Sequence, residues 1–299
     1  MVYNQYRSKW NNYPKLHIVD RVPINLDIEL TTRCNLKCIM CPHSFNPPKT
    51  QDLPIDDVKK IIDEFIEKGG LAIKFCYLGE PLLYTDLIEV IKYAKEKGII
   101  ETIIATNGTL LTTKISSELI RAGLDFIIFS VDSRFEDTYE RIRVNGNFHK
   151  VRQNISSLFT LRTLMNSNTP KIQIQAIPMD INKCEINSGQ YKDFWESFCD
   201  IIRISPFCLD YKNIREIGET PDFFCPSPFR RITIRVNGDI AVCCGSRNDN
   251  KILGNIYDNS LEEIWTGVRF NHIRNLMKEH KSHLIDCCKT CPGRLSYEK

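Results

Sequence analysis

The stretch INLDIELTTRCNLKCIMCPHS, residues 24–44, governs how the chain is read. Its first seven residues form an apolar, β-branched run that reads as a strand. Three cysteines come immediately after, Cys34, Cys38 and Cys41, spaced C-x3-C-x2-C. With 13 cysteines in 299 residues, such a triplet arises by chance with a probability of roughly 0.02–0.03. This spacing lets three sulfurs converge at the carboxyl end of the strand. Thiolates are soft ligands for iron–sulfur clusters or zinc. Structural zinc takes four protein ligands, whereas a 4Fe–4S cube held by three cysteines keeps one iron open to something else. Zinc completed by a distant residue such as His43, or a buried apolar cysteine cluster, is the plainer alternative.

Beyond this stretch, β-type runs alternate with amphipathic helical patterns. Further strands are expected at 72–78, 102–106, 125–131, 171–177 and 201–205, with helices at 56–69, 86–98, 114–123 and 148–164 between them. Pro54 and Asp56 suit the start of the first of these helices, and Gly69-Gly70 its end. Six βα units in series imply an α/β fold with a mostly parallel sheet, because each crossover helix returns the chain to the same direction. Six units can curl into a partial (βα)6 barrel, with ligands at the carboxyl ends of the strands. The expected domains are residues 1–220, the core, and 221–299, a small α+β tail. In the tail, residues 229–244 read as a hairpin turning at Asn237-Gly238, and SLEEIWTG, 260–267, as a helix capped by Ser260 with Glu263 at the third position. A second helical run covers 268–280.

Composition excludes several functions. The net charge is only +3, from 40 basic and 37 acidic residues, which gives no electrostatic case for nucleic acid or a membrane surface. No window is apolar enough to span a bilayer, and the first twenty residues lack the apolar segment of a secretory signal. A cytoplasmic location is expected, and in a reducing compartment the cysteines read as metal or cluster ligands.

With these residues in view, the chain resembles the radical S-adenosylmethionine (SAM) superfamily over about residues 22–210. Gly79, Glu80 and Pro81 resemble its second-strand motif, with Leu78 where the first glycine usually stands. The resemblance implies that this turn holds the methionyl ammonium. ATNGTLL (105–111), containing Asn107, resembles the third-strand segment near the ribose and methionine. FSVDS (129–133) resembles the fourth-strand end, which implies that Ser130 and Asp132 face the cofactor. RIRVNGNFHKVRQNI (141–155) resembles the R-x-x-G-x-F-x-x-V segment, and Arg143 is the candidate for the methionyl carboxylate. The resemblance further implies a SAM molecule chelating the open iron, one-electron cleavage to a 5′-deoxyadenosyl radical, and abstraction of an unactivated hydrogen. An external one-electron donor of the flavodoxin or ferredoxin type is implied as well.

Six more cysteines lie at 225, 243, 244, 287, 288 and 291, with Gly238 giving C-x12-G-x4-C and C-x2-C closing the set. This resembles the SPASM and twitch domains that follow many such cores. A full SPASM pattern continues beyond Cys291, and here no further cysteine does. The shorter twitch arrangement is implied, with a second 4Fe–4S cluster on Cys225, Cys243, Cys288 and Cys291. Cys244 can replace Cys243, Cys287 can replace Cys288, and zinc suits the same four thiolates. A cluster with four protein ligands suits electron transfer. Relatives with a twitch domain include an aminocyclitol dehydrogenase.

Oxidation of a secondary alcohol on a small sugar or aminocyclitol is therefore the leading expectation, with Glu29, Gln175, Arg203 and Arg235 as candidate substrate groups. Epimerisation or dehydration of similar substrates, or modification of a peptide or protein, are the alternatives. About 22 residues precede the first strand, fewer than a peptide leader-binding module needs. Epimerisation requires a hydrogen donor on the other face, usually a thiol, for which Cys208 is best placed, although a free cysteine is more commonly a small buried hydrophobe. Cys76 reads as core; Cys184 and Cys199 carry no chemical signal. A redox-sensing binding protein is the remaining class.

Overall fold

The computed structural model describes residues 2–205, 223–243, 245 and 252–295. The chain runs α1 (Val2–Leu16), β1 (Asn25–Ile28), the single turn α2 (Pro42–Phe45), α3 (Ile55–Glu67), β2 (Ala72–Phe75), α4 (Leu87–Glu96) and β3 (Glu101–Thr106). It continues through α5 (Thr113–Arg121), β4 (Phe126–Ser130), α6 (Glu136–Ile142), α7 (Phe148–Leu164), β5 (Lys171–Ala176), α8 (Lys183–Asn187), α9 (Gln190–Trp195) and β6 (Ile201–Ile204). The tail holds β7 (Arg231–Ile234), β8 (Asp239–Ala241), β9 (Gly254–Asn255), α10 (Leu261–Thr266), α11 (Val268–Lys278), α12 (Asp286–Lys289) and α13 (Pro292–Leu295).

One nine-stranded sheet has the order β6-β5-β4-β3-β2-β1-β7-β8-β9. The strands from β1 to β7 are parallel; β8 and β9 are antiparallel additions. With β6 and β9 as edges the sheet is not closed, as a partial (βα)6 barrel requires. Successive side chains point to opposite faces of a strand. On one face Leu26, Ile28, Ile73, Phe75, Ile104 and Ile127 enter the main core beneath the helices. The register aligns the other face: Asp27 beside Lys74, Lys74 beside Ile103, Ser130 beside Gln175 and Gln175 beside Arg203. That face is where polar side chains collect.

The expected six strands and their helices all form. Each strand lies within or one residue beyond its expected span. The short helices α6, α8 and α9 are additions to the expected set, and two further features that differ lie toward the ends of the chain. The tail hairpin does not stand apart: β7 pairs with β1 along its whole length, Asn25 opposite Arg231 and Ile28 opposite Ile234. Without β7, β1 would present an unpaired edge whose amides and carbonyls need partners. Ile232, Ile234, Ile240, Leu261 and Trp265 accordingly belong to the main core, while Phe229, Val242, Ile273, Met277, Ile285 and Cys288 form a smaller one.

The second feature is α1, for which the sequence pattern offers no helix. It crosses the amino ends of the strands. Tyr6 is 2% exposed and donates its hydroxyl to Glu101 Oε2 at 2.9 Å. The Arg230 Nε donates to the Trp10 carbonyl at 2.7 Å. No described helix is long and apolar enough to cross a membrane.

Candidate active site

The loop after β1 is held by side chains rather than by regular structure. Arg33 donates to Asp52 through Nε at 3.1 Å and Nη2 at 2.5 Å, and Nη2 also reaches the Leu83 carbonyl at 2.6 Å. The Arg33 carbonyl accepts the Glu80 amide at 2.8 Å, which ties the cysteine loop to the end of β2. Gly79 packs directly under that contact. A Cβ there would stand 2.0 Å from the Thr31 carbonyl oxygen, so only glycine fits.

Cys34, Cys38 and Cys41 line a cavity of about 290 Å³ at the carboxyl ends of the strands, together with Gly79, Glu80, Asn107, Ser130, Arg143 and Gln175. Burial pushes the Cys34 thiol up to about 11. Burial raises Cys38 as well, against the pull of the Arg143 cation. Such thiols are poor thiolates until a metal centre supplies positive charge. Among the described residues, no three His, Cys, Asp or Glu side chains converge as the ligands of a single metal ion do. A cube has a different requirement, since each cysteine binds its own iron; three thiols on one wall of an open cavity fit it. The His43 Nε2 faces the Thr32 carbonyl at 2.5 Å, and His43 lines a neighbouring hollow rather than this one.

The remaining expected residues separate into two kinds. Ser130, on the last position of β4, and Gln175 line the cavity. Glu80 and Asn107 also line it, but their polar atoms are engaged within the protein. Glu80 accepts from the Leu82 and Asn107 amides at 3.1 and 2.8 Å and from the Thr106 hydroxyl at 2.6 Å. Burial still leaves its carboxyl raised. Asn107 bonds to Asn35 and Thr109. Asp132, fully buried, stands behind the wall. Its Oδ2 accepts from Arg143 Nε at 2.6 Å and its Oδ1 from the Ile177 amide at 2.8 Å.

Glu29 and Arg235 meet in the neighbouring hollow, about 310 Å³, which shares Tyr77 and Leu78 with the first. Glu29 is 4% exposed. Its Oε2 accepts the Val236 amide at 3.2 Å, and its Oε1 has no hydrogen-bond partner among the described residues. Burial lifts this carboxyl to about 7, with the Val236 and Leu78 amides and Arg235 opposing. Arg203 is exposed on the edge strand β6. Cys208 and Cys244 lie outside the described residues. Cys76 is a correction to the sequence reading. It falls just beyond β2 and lines the cysteine cavity instead of the core; its register continues the polar face through Lys74.

The second cysteine group sits at the other end of the sheet. Cys225 precedes β7 and Cys243 follows β8, whose antiparallel register returns the chain to the amino end of β7. Cys288 lies in the smaller core, with Cys225 and Cys287 packed against it. The Cys287 and Cys288 sulfurs are 4.0 Å apart. The Cys288 thiol is driven strongly upward by Cys287, by burial, and by Cys243 and Cys225. Burial, Cys225 and Cys287 push Cys291 up to about 11. Cys225, Cys287 and Cys288 thus pack together, with Cys243 and Cys291 near enough to act on them electrostatically, and this thiol-rich neighbourhood suits a cluster with four sulfur ligands. A larger hollow of about 420 Å³ opens beside Cys287, lined mainly by aliphatic side chains of the tail.

Known proteins divide along the same line. The sequence profile of the radical SAM superfamily matches residues 28–162, and that of SPASM, an iron–sulfur cluster-binding domain, matches residues 225–292. The GTP 3′,8-cyclase of Lactiplantibacillus plantarum is 34% identical over 151 residues, 49% of this chain and 43% of that protein. The PqqA peptide cyclase of Bradyrhizobium diazoefficiens is 28% identical over 182 residues, 57% of this chain and 47% of that protein. The matches thus span less than half the length of these relatives. Among solved structures, BtrN in complex with AdoMet and 2-DOIA superposes with a TM-score of 0.64 at 21% identity, covering 91% of this chain and 94% of BtrN. SuiB of Streptococcus suis bound to S-adenosylmethionine gives 0.65 at 17% identity, covering 96% of this chain and 76% of SuiB. At such identities the likeness shows the fold.

Proposed function

For a chain that belongs to the radical SAM superfamily and carries a C-terminal SPASM-type iron–sulfur domain, we propose the oxidation of a secondary alcohol on a small sugar or aminocyclitol to a ketone. The observation that carries this reading is the polar face of the sheet. Asp27, Lys74, Gln173 and Gln175 lie on the strand faces that meet the cysteine cavity. Asp27 pairs with Asn25 and Arg231, and Gln173 donates to Gln175; on this face Lys74 and the Gln175 amide nitrogen are left, among the described residues, to meet a hydroxyl-rich molecule in the cavity. The likeness to BtrN along almost its whole length, with 2-DOIA in that complex, supports the same class.

In this reading Cys34, Cys38 and Cys41 hold a 4Fe–4S cluster and leave one iron for the amino and carboxylate groups of SAM. Gly79, Glu80, Asn107, Ser130 and Arg143 shape the cavity around that cofactor, and Asp132 positions Arg143. Cys225, Cys243, Cys288 and Cys291 hold the auxiliary cluster. Cluster and SAM together supply the hydrogen-abstracting radical, and the auxiliary cluster supplies a one-electron acceptor. Gln175 and Arg203 meet substrate hydroxyls. Glu29, with one carboxylate oxygen unpartnered, takes the hydroxyl proton, and Arg235 beside it holds the carboxylate in place. A flavodoxin- or ferredoxin-type donor delivers the first electron.

Anaerobic reconstitution tests the reading. About eight irons per chain are expected, with reductant-dependent formation of 5′-deoxyadenosine. A panel of aminocyclitols including 2-DOIA, and of free sugars, should yield one ketone per SAM consumed. Product formation only from a peptide would replace the reading with peptide modification. Cys76 supports a second reading, epimerisation, because it places a thiol on the cavity wall. Solvent deuterium at the reacting carbon, lost in Cys76→Ala, would select it.

A further inference from the structure

The sequence motif gives Arg143 one task, the methionyl carboxylate. Its position in the fold gives it another. The backbone of the cysteine loop pairs with the segment after α6: the Lys37 amide donates to the Val144 carbonyl at 2.9 Å and the Ile39 amide to the Ile142 carbonyl at 3.0 Å. These two bonds bracket Cys38 on one side and Arg143 on the other. The Arg143 Nη1 donates to the Cys38 sulfur at 3.6 Å. On its far side the guanidinium is gripped by Asp132, itself fixed by the Ile177 amide, while Asn182 Nδ2 donates to the Asp132 carbonyl at 2.7 Å. The turn that delivers Arg143 is closed by Gly146, whose amide reaches the Arg143 carbonyl at 2.6 Å; a Cβ there would meet that same oxygen at 2.6 Å. The guanidinium is therefore a fixed cation beside one sulfur of the three.

We propose that Arg143 sets the reduction potential of the first cluster through its charged hydrogen bond to the Cys38 sulfur, with Asp132 as its positioning residue. The proposal rests on the reading of Cys34, Cys38 and Cys41 as cluster ligands. Reduction adds one negative charge to the cluster. A fixed cation donating to a ligand sulfur stabilises the reduced form more than the oxidised one, so it raises the potential. Arginine keeps its charge at every working pH, so the effect is permanent rather than switched.

The test is an EPR-monitored redox titration of the reconstituted holoprotein without SAM, on wild type, Arg143→Lys and Arg143→Gln. The first cluster is identified by the change in its spectrum when SAM is added afterwards. Arg143→Gln should lower the reduction equilibrium of that cluster tenfold or more, about 59 mV for a one-electron couple, and leave the auxiliary cluster unmoved. Arg143→Lys keeps the charge without the planar fork and should fall between. A SAM-free potential equal to wild type in Arg143→Gln, with only SAM binding weakened, overturns the proposal. Should that variant lose its iron, Arg143→Lys decides: a value equal to wild type overturns it. Failure of the underlying reading is separate, since Cys38→Ser would then retain a full complement of iron.

Discussion

The two cysteine groups occupy opposite ends of the same pair of strands and are built differently. The first sits on a loop at the carboxyl end of β1, braced by Arg33, Asp52 and Gly79, with three thiols facing an open cavity. The second is folded into a small core at the amino end of β7, around Cys288. Between them runs a polar column of Asn25 and Arg231, Asp27 and Thr233, then Glu29 and Arg235. Chemistry that needs access is thus placed where backbone must be braced from outside. On the proposed reading, the second group would act as a staple, placed where it completes a core too small to stand alone.

Cysteine substitution puts the heaviest strain on this contrast. Cys38→Ala should abolish SAM cleavage and remove about four of eight irons, with the tail still folded by circular dichroism. Cys291→Ala should remove the other irons, leave reductive cleavage of SAM intact, and melt the tail early. Equal loss of cleavage in both variants would end the distinction.

Glu29, in the column between the two ends, comes next in size. Its raised carboxyl means that folding favours the protonated form. Stability from this group is complete below the ordinary carboxylate range and is lost as pH rises toward about 7. Glu29→Gln should be more stable than wild type above pH 7, by roughly 3 kcal/mol at most, with the difference shrinking toward pH 4. Denaturant melts at several pH values measure it. Turnover should show the converse: wild type rises through pH 7 and the variant is flat and low.

Gly79→Ala tests the bracing of the first loop. Its added Cβ meets the Thr31 carbonyl oxygen, and overpacking costs about 1–3 kcal/mol. The expected result is weaker SAM binding with the second cluster unaffected. The smallest effect belongs to the tail. Ser260 forms a complete capping box with Glu263, so Ser260→Ala should cost about 1 kcal/mol, read as a lower melting temperature with the first site unchanged.

Local pattern is enough for much of this architecture. The period of the apolar residues marks all six core strands and the four longer helices α3, α4, α5 and α7, but not the short α6, α8 and α9. The Asn237-Gly238 turn appears with Gly238 at φ +84°, and the Ser260 cap lies where its sequence signature stands. The site is legible where chemistry is written in spacing, as in Cys34, Cys38 and Cys41. It is not legible where one residue serves another across the fold. Asp132 carries no mark that it grips Arg143, nor Glu80 that it spends its oxygens on Thr106 and Asn107. Cys76 reads as core because a strand's final residue and the first residue beyond it share one apolar run. Helix α1 leaves no local signature because its ordering contacts, Tyr6 to Glu101 and Trp10 to Arg230, lie far away in sequence.

Sequence alone dictates that strands alternate with helices and that two sets of thiols gather, because period and spacing are local quantities. Folding in three dimensions adds that β7 completes the edge of β1, that the two thiol sets sit at opposite ends of that seam, and that Arg143 reaches Cys38. Those outcomes depend on which distant backbone edges and charges find partners, and no local pattern contains that information.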